Sequence, residues 1–317
     1  MSRVVVTGIG VVSSIGVGER DFWSGLLAGR CGVGDVTLFD TTAYKVHCGC
    51  EVRGFRPESF VRRQSLSAMG RSSQLAIAAA RLALLDAALH RPDLDRTRWG
   101  VVVGTTTGEA QIIEKLDDRI VAKNLNGDGD SFVSSYPCNL IASHVADEFE
   151  LDGPSMVIPT ACAAGNYAIA CAMDQLKLER ADLMLAGGAD GFSRITYTGF
   201  ARLGAIAPHR CRPFDKNRKG MIPGEGAGML VLEPMDRAIQ RRARIYAEVA
   251  GYGLSCDAHH MTASHPEGDG AVRAMEAALD HCGLEPDQVS YISAHGTGTP
   301  TNDRVETTAI KRVFGKA

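Results

Sequence analysis

The sequence predicts an α/β fold with mainly parallel strand pairing. Apolar, β-branched runs alternate with longer helix-like stretches along most of the chain. The alternation comes as two βα series divided near residue 240, a long one and a short one. The 35 glycines outnumber the 12 prolines, which suits a fold with many tight turns and close backbone approaches.

The elements follow in order. Residues 4–7 are a β-branched strand, and Gly8 and Gly10 turn the chain after it. Residues 20–27 predict a short helix. Residues 64–89 are rich in Ala and Leu and nearly free of breakers, so they predict a helix with much of its surface buried. An apolar strand at 99–103 ends at Gly104, 124–130 (NLNGDGD) is a loop, 139–150 a helix and 155–158 a strand. A small-residue helix covers 163–178, and a buried strand at 183–186 stops at Gly187-Gly188. Residues 193–228 are irregular, with Pro208, Pro213 and Pro223, and the apolar strand 229–232 follows. The second series runs strand 245–251, helix 270–281, strand 289–294, helix 304–314. Two domains are therefore expected, 1–240 and 241–317.

Composition excludes several functions. The 317 residues are 45% hydrophobic and 22% charged with a net charge of −3, ordinary for a globular protein. That balance argues against broad electrostatic binding to nucleic acid or an anionic membrane. The first residues, MSRVVVTGIGVV, place one basic residue before a short apolar stretch, which suits a first strand better than a signal peptide. No run approaches the length of a membrane span. Nine cysteines cannot all pair internally, and reduced thiols in the cytoplasm are expected.

Some motifs are set aside. GIGVVSSIG has Ser13 where a dinucleotide fingerprint needs its third glycine. GEGAG at 224–228 precedes a strand, whereas a phosphate cradle follows one and opens a helix. His47-Cys48-Gly49-Cys50 and the group His259, His260 and His265 lack a second ligand pair at zinc spacing, so no metal is expected.

Cys162 is different. It follows the strand 155–158 and opens a small-residue helix, where backbone N–H groups and the helix dipole favour a thiolate. Ala161, Ala163, Ala164 and Gly165 leave room for a substrate at the sulfur. Cys171, nine residues on, is turned by about 900° and lies on the opposite face, so it is expected to be a core thiol. By itself the segment fits a reactive thiol or a small buried hydrophobe equally. His295 tips the balance. It ends the strand 289–294 and begins His295-Gly296-Thr297-Gly298-Thr299-Pro300. Glycines admit a ligand to the backbone, threonine hydroxyls can bond the amides of a linear ligand, and a neutral imidazole can donate to an oxyanion.

TACAAG at 160–165 and HGTGTP at 295–300 resemble the nucleophile and first-histidine motifs of β-ketoacyl-[acyl-carrier-protein] synthases. These include the elongating enzymes of type II fatty acid synthesis and the ketosynthases of polyketide pathways. VVVTGIGVVSSIG (4–16), LMLAGGAD (183–190), RPFDKNRKGMIPGEGAGMLVLE (212–233) and SCDAHHMTASHP (255–266) extend the resemblance over the whole chain. It implies a thiolase-like α/β fold of two similar βαβαβ halves in layers. It implies acyl transfer to Cys162, then decarboxylative Claisen condensation with a malonyl carrier protein, His295 stabilising the enolate. Thr297 and Thr299 match positions that hold the phosphopantetheine arm, Phe200 matches the acyl pocket, and Phe132 matches a side chain that reaches the partner subunit of a homodimer. Asp303 and Glu306 match an acidic pair that organises the site. No cofactor is implied, because the acyl carrier protein brings the pantetheine. Arg62, Arg63 and Arg71 are candidates for docking that acidic carrier, beside the plainer reading of scattered surface charge.

The resemblance also implies a lysine and second histidine in a K-x-x-x-G-H-type motif, then a glycine-rich loop with a gating phenylalanine. Neither occurs, and His295 is the last histidine. The second half is therefore expected to be incomplete. The chain would be a fragment, a degenerate homologue, or one part of a heteromer in which a second chain supplies the remainder. Pro159 and Asn302 are smaller departures, where an acid or alanine and a glycine are usual. A transfer-only or inactive homologue is the alternative function. A chain-length subunit is disfavoured by Cys162, and a thiolase by HGTGTP.

Overall fold

The computed structural model describes residues 3–91, 93–123, 134–261 and 263–315. They form two compact units, one of residues up to 40, 49–199 and 224–249, the other of 41–48, 200–223 and 250 onward. Two segments from before residue 240 thus belong with the later unit.

The first unit is built on a seven-stranded sheet. Its strands are β1 (Val4–Ser13), β2 (Gly16–Val17), β3 (Trp99–Gly104), β4 (Ser155–Ile158), β5 (Leu183–Asp190), β6 (Gly226–Pro234) and β7 (Ala247–Val249). The order is β2-β1-β6-β5-β3-β4, with β7 also on β1. β3 pairs in parallel with β4 and β5, while β5–β6, β6–β1, β1–β2 and β1–β7 are antiparallel. The sheet is therefore mixed, not mainly parallel. β1 and β6 are largely buried and read as continuous apolar runs, the usual mark of parallel strands, although their partners are antiparallel.

The glycines expected to turn the chain lie inside strands. A Cβ at Gly10 would sit 1.9 Å from the Ala79 carbonyl oxygen, and one at Gly8 2.4 Å from that of Ala83. Both glycines let helix α2 (Arg71–Asp86) lie directly on β1. β5 likewise runs through Gly187, where a Cβ would meet the Gly228 carbonyl oxygen at 1.9 Å.

α1 is Glu19–Leu27. α2 starts later than residue 64 because its first amides have a dedicated acceptor. The N–H groups of Ser72 and Ser73 donate to the Glu109 carboxylate at 3.1 and 2.8 Å. Burial pushes the Glu109 carboxyl up. The other helices are α3 (Ala110–Val121), α4 (Leu140–Phe149), α5 (Ala164–Lys177), α6 (Arg194–Arg202) and α7 (Met235–Gln240). α3 and α6 go beyond the sequence expectation. Ile112, Ile113, Leu116 and Ile120 recur at helical spacing in α3, a legible signal. α6 carries Thr196, Tyr197 and Thr198, poor helix formers, and the buried Tyr197 is its tertiary anchor.

The second unit contains α8 (Asp269–Cys282) and α9 (Pro300–Phe314). α9 begins before residue 304 because Thr299 caps it, accepting from the Asn302 N–H at 3.3 Å, and Pro300 takes the first helical position. Residues 289–294, expected as a strand, carry no ladder hydrogen bonds among the described residues. A β-branched run becomes a strand only when a neighbour takes its N–H and C=O groups.

Candidate active site

Cys162 lies on an elbow between β4 and α5. Ala161 has φ 51°, a left-handed conformation that costs a residue with a Cβ about 1–2 kcal/mol. Residues Ala161–Ala163 form a 3₁₀ turn and α5 continues from it. Ala161, Cys162 and Ala163 are exposed, and Ala164 is buried.

The small residues divide into two jobs. Ala161 and Ala163 leave the surroundings of the sulfur open. Ala164 and Gly165 instead seat the helix. A Cβ at Gly104 would lie 2.3 Å from the carbonyl carbon and oxygen of Ala164, and one at Gly188 3.5 Å from the Gly165 Cα. The first turn of α5 thus rests on the backbones of β3 and β5. Cys171 is half-buried, and burial together with Asp174 pushes its thiol up.

The second unit holds the histidine loop. The N–H groups of His295 and Gly296 donate to the two carboxylate oxygens of Glu306, at 2.6 and 2.9 Å. Gly298 N–H donates to Asp303 at 3.0 Å, and Phe214 N–H donates to its other oxygen at 2.6 Å. The Thr297 and Thr299 hydroxyls are 2.9 Å apart. The His295 side chain is on an exposed residue. Glycine is needed at 296 and 298, where φ is 53° and 74°, and a Cβ on Gly298 would strike the Gly220 carbonyl oxygen at 2.7 Å.

Residues 211–220 strap this loop from outside. The Cys211 thiol donates to the Thr297 carbonyl at 3.2 Å, Arg218 donates to the carbonyls of Thr299 and Pro300 at 3.3 and 2.8 Å, and Gly220 N–H donates to Gly298 at 2.9 Å. Burial and the Asp303 charge push the Cys211 thiol up. Cys211, Arg218 and Gly220 carry no separate sign in the sequence, although Arg218 and Gly220 lie within RPFDKNRKG (212–220) and Cys211 directly precedes it. A polar, glycine-containing segment rich in charge was the available signal.

The remaining candidates are scattered. Phe200 is half-buried in α6. Phe132 lies outside the described residues. Arg71 does not present its charge at the surface. Its side chain is 19% exposed, pairs with the fully buried Glu225 at 2.8 Å, and stacks over Phe55 at 4.8 Å. The carboxylate of Glu225 must have a counter-ion, since an unpaired buried charge is costly. Arg62 and Arg63 are exposed, with their backbone N–H groups on Glu148 at 2.8 and 3.0 Å. His259 and His265 meet edge to face at 5.0 Å, and no group of three metal-ligating side chains occurs among the described residues.

Residues 1–238 match the family described as beta-ketoacyl synthase, N-terminal domain, and residues 246–317 match its C-terminal domain. The chain belongs to the β-ketoacyl synthase family. These are condensing acyltransferases of fatty acid and polyketide synthesis, and the fold is the thiolase-like one of ketosynthases. The 3-oxoacyl-[acyl-carrier-protein] synthase 2 of Synechocystis sp. is 38% identical over 320 residues, 99% of this chain and 77% of that protein. Its namesake in Staphylococcus aureus is 37% identical over 321 residues, 99% of this chain and 78% of that one. Among solved structures, the ishigamide ketosynthase/chain length factor is 42% identical with a TM-score of 0.94, covering 100% of this chain and 78% of that one. A type II polyketide acyl carrier protein in complex with its hexaketide-bound ketosynthase gives 33% identity and a TM-score of 0.87, covering 99% and 78%. Among the described residues no helix is long and apolar enough to cross a membrane.

Proposed function

We propose that this ketosynthase-family chain uses Cys162 as its nucleophile and His295 as its enolate stabiliser. The observation that supports this most is the elbow. An exposed thiol stands beside a left-handed alanine at the start of a helix whose seat is backbone on backbone. The helix N-terminus favours negative charge on the sulfur.

The Cys162 thiolate attacks the carbonyl of an acyl carrier protein thioester. The acyl–sulfur bond to the pantetheine breaks, and the pantetheine thiol leaves with a proton. A malonyl thioester then loses CO₂, and the electron pair of the broken C–C bond passes to the thioester oxygen as an enolate. The His295 imidazole donates an N–H to that oxygen, a contribution of about 10²–10³ in rate. The enolate carbon attacks the acyl–Cys162 thioester and the thiolate returns. Glu306 and Asp303 organise the histidine loop by holding its amides. Thr297 and Thr299 line the pantetheine arm and Phe200 the acyl chain. The scheme has no resident cofactor, since the pantetheine arrives on the carrier.

Arg62 and Arg63 would meet the acidic carrier, in keeping with the carrier complex of the relative above. The chain would act in the cytoplasm as a homodimer, and a relative solved as a ketosynthase/chain length factor makes a heteromer the second reading. Intact mass spectrometry after incubation with an acyl carrier protein thioester tests the nucleophile. An acyl-sized gain, absent in Cys162→Ala, is expected; a gain that persists in the variant refutes the assignment. Release of CO₂ from malonyl carrier protein separates condensation from transfer alone.

A further inference from the structure

A groove of about 290 Å³ lies in the first unit, between the last turns of α2 and α4. We infer that it is a binding site for a dianionic phosphomonoester with a small apolar body.

Charge is the first reason. Arg62, Arg63, Arg81 and Arg96 line the groove against two carboxylates, Glu148 and Glu150. Glu148 is fully buried and already committed, accepting the Arg62 and Arg63 N–H groups and pairing with Arg81. Glu150 pairs with Arg63 at 3.0 Å. Arg96 donates to the carbonyls of Arg91 and Phe149 at 2.9 Å each, and its Nε has no hydrogen-bond partner among the described residues. No hydrogen bond or ion pair is made by the Arg62 guanidinium among the described residues. Two positive charges are thus left without a carboxylate. Both line the same groove of about 290 Å³, and each lies within electrostatic reach of Arg81.

Chemistry narrows the ligand. A phosphomonoester carries about −1.5 to −2 at pH 7 and offers three acceptor oxygens, which matches two unneutralised guanidiniums. A carboxylate or phosphodiester would leave one charge over. His90 on the rim adds a further donor. Leu84, Leu85 and Phe149 supply an apolar wall, and Arg81 stacks over Phe149 at 4.8 Å. The volume is near the lower limit for small-molecule sites, about 300 Å³, so the body must be small.

The inference does not depend on carrier docking at Arg62 and Arg63, and a small-molecule probe keeps the two apart. Phenyl phosphate is titrated into the full chain, followed by calorimetry and ³¹P line broadening. Methyl phenyl phosphate, a monoanionic diester, and benzoate serve as comparisons. Saturable one-to-one binding is expected, at least about tenfold tighter for phenyl phosphate than for either monoanion, since hydrogen bonds between charged groups are each worth about a tenfold or more. Arg62→Ala should weaken it about tenfold. That side chain is exposed and supports nothing internal, so the fold stays intact. Lys311→Ala, in the other unit, should leave it unchanged. No saturable binding overturns the site. So does equal binding of all three probes, which would mark a generic cationic patch, and so does unaltered affinity in Arg62→Ala.

Discussion

Asp303→Asn should unfasten the histidine loop. Both carboxylate oxygens of Asp303 accept a backbone N–H, one from Gly298 and one from Phe214. Asparagine has a single oxygen, so either orientation of its amide sets an NH₂ against an N–H. The residue is 1% exposed, and water cannot step in. Losing one charge-assisted bond costs about 1.5–3 kcal/mol, and the stranded N–H costs about 1–3 kcal/mol more. Arg218, 3.5 Å from the carboxylate, also loses its counter-charge but keeps its carbonyl partners. The total is about 2.5–6 kcal/mol, a range that brackets the roughly 3–5 kcal/mol usual for breaking a buried charged contact. Urea unfolding reads the global loss, and amide exchange at Gly298 and Phe214 reads the local one. Exchange there should accelerate about a hundredfold or more. A variant within about 0.5 kcal/mol of the parent, with Gly298 still protected, would refute the idea that this carboxylate holds the loop.

Other consequences can be checked as directly. Gly104→Ala should destabilise by about 1–3 kcal/mol through overpacking against the Ala164 backbone. Gly165→Ala, whose nearest neighbour would be the Gly188 nitrogen at 4.0 Å, should be neutral or gain helix propensity of up to about 1 kcal/mol. The reverse order in thermal denaturation would contradict the seating of α5. Burial, then the hydrogen bond and charge of Asp86, push the Tyr246 phenol up to about 12. A raised value means stability that is complete below about pH 10 and lost as pH rises through 12. Ultraviolet titration should show a last tyrosine phase that disappears in Tyr246→Phe. Cys171 and Cys211, both pushed up, should alkylate more slowly at neutral pH than the exposed Cys31, Cys162 and Cys256. Peptide mapping that finds Cys211 modified first would count against the strap.

Most helices and strands were legible because apolar spacing reports burial. The direction of pairing was not, since β1 and β6 are as deeply packed as parallel strands. Glycines misled for a related reason. Gly8, Gly10 and Gly187 look like punctuation in one dimension and are contact points in three. Cys162 and His295 stood out because a thiol at a strand–helix junction and an imidazole before alternating glycines are unusual. Their supports did not. Nothing in Arg71 as a letter reveals that Glu225, far along the chain, claims its charge. Cys211 looked like one thiol among nine until its carbonyl partner was visible.

The contact of Gly104, Gly165 and Gly188 bears on how freely this protein can change. At these three glycines the first turn of α5 meets the strands beneath it main chain to main chain. Swapping valine for isoleucine or leucine for methionine in the core alters side-chain volumes, and at those three positions there is no side chain to take up the change. The sulfur of Cys162 is referenced to main chain, the part of a protein that drifts least. Interior substitutions, natural or engineered, can therefore accumulate with little effect on the place of the Cys162 sulfur.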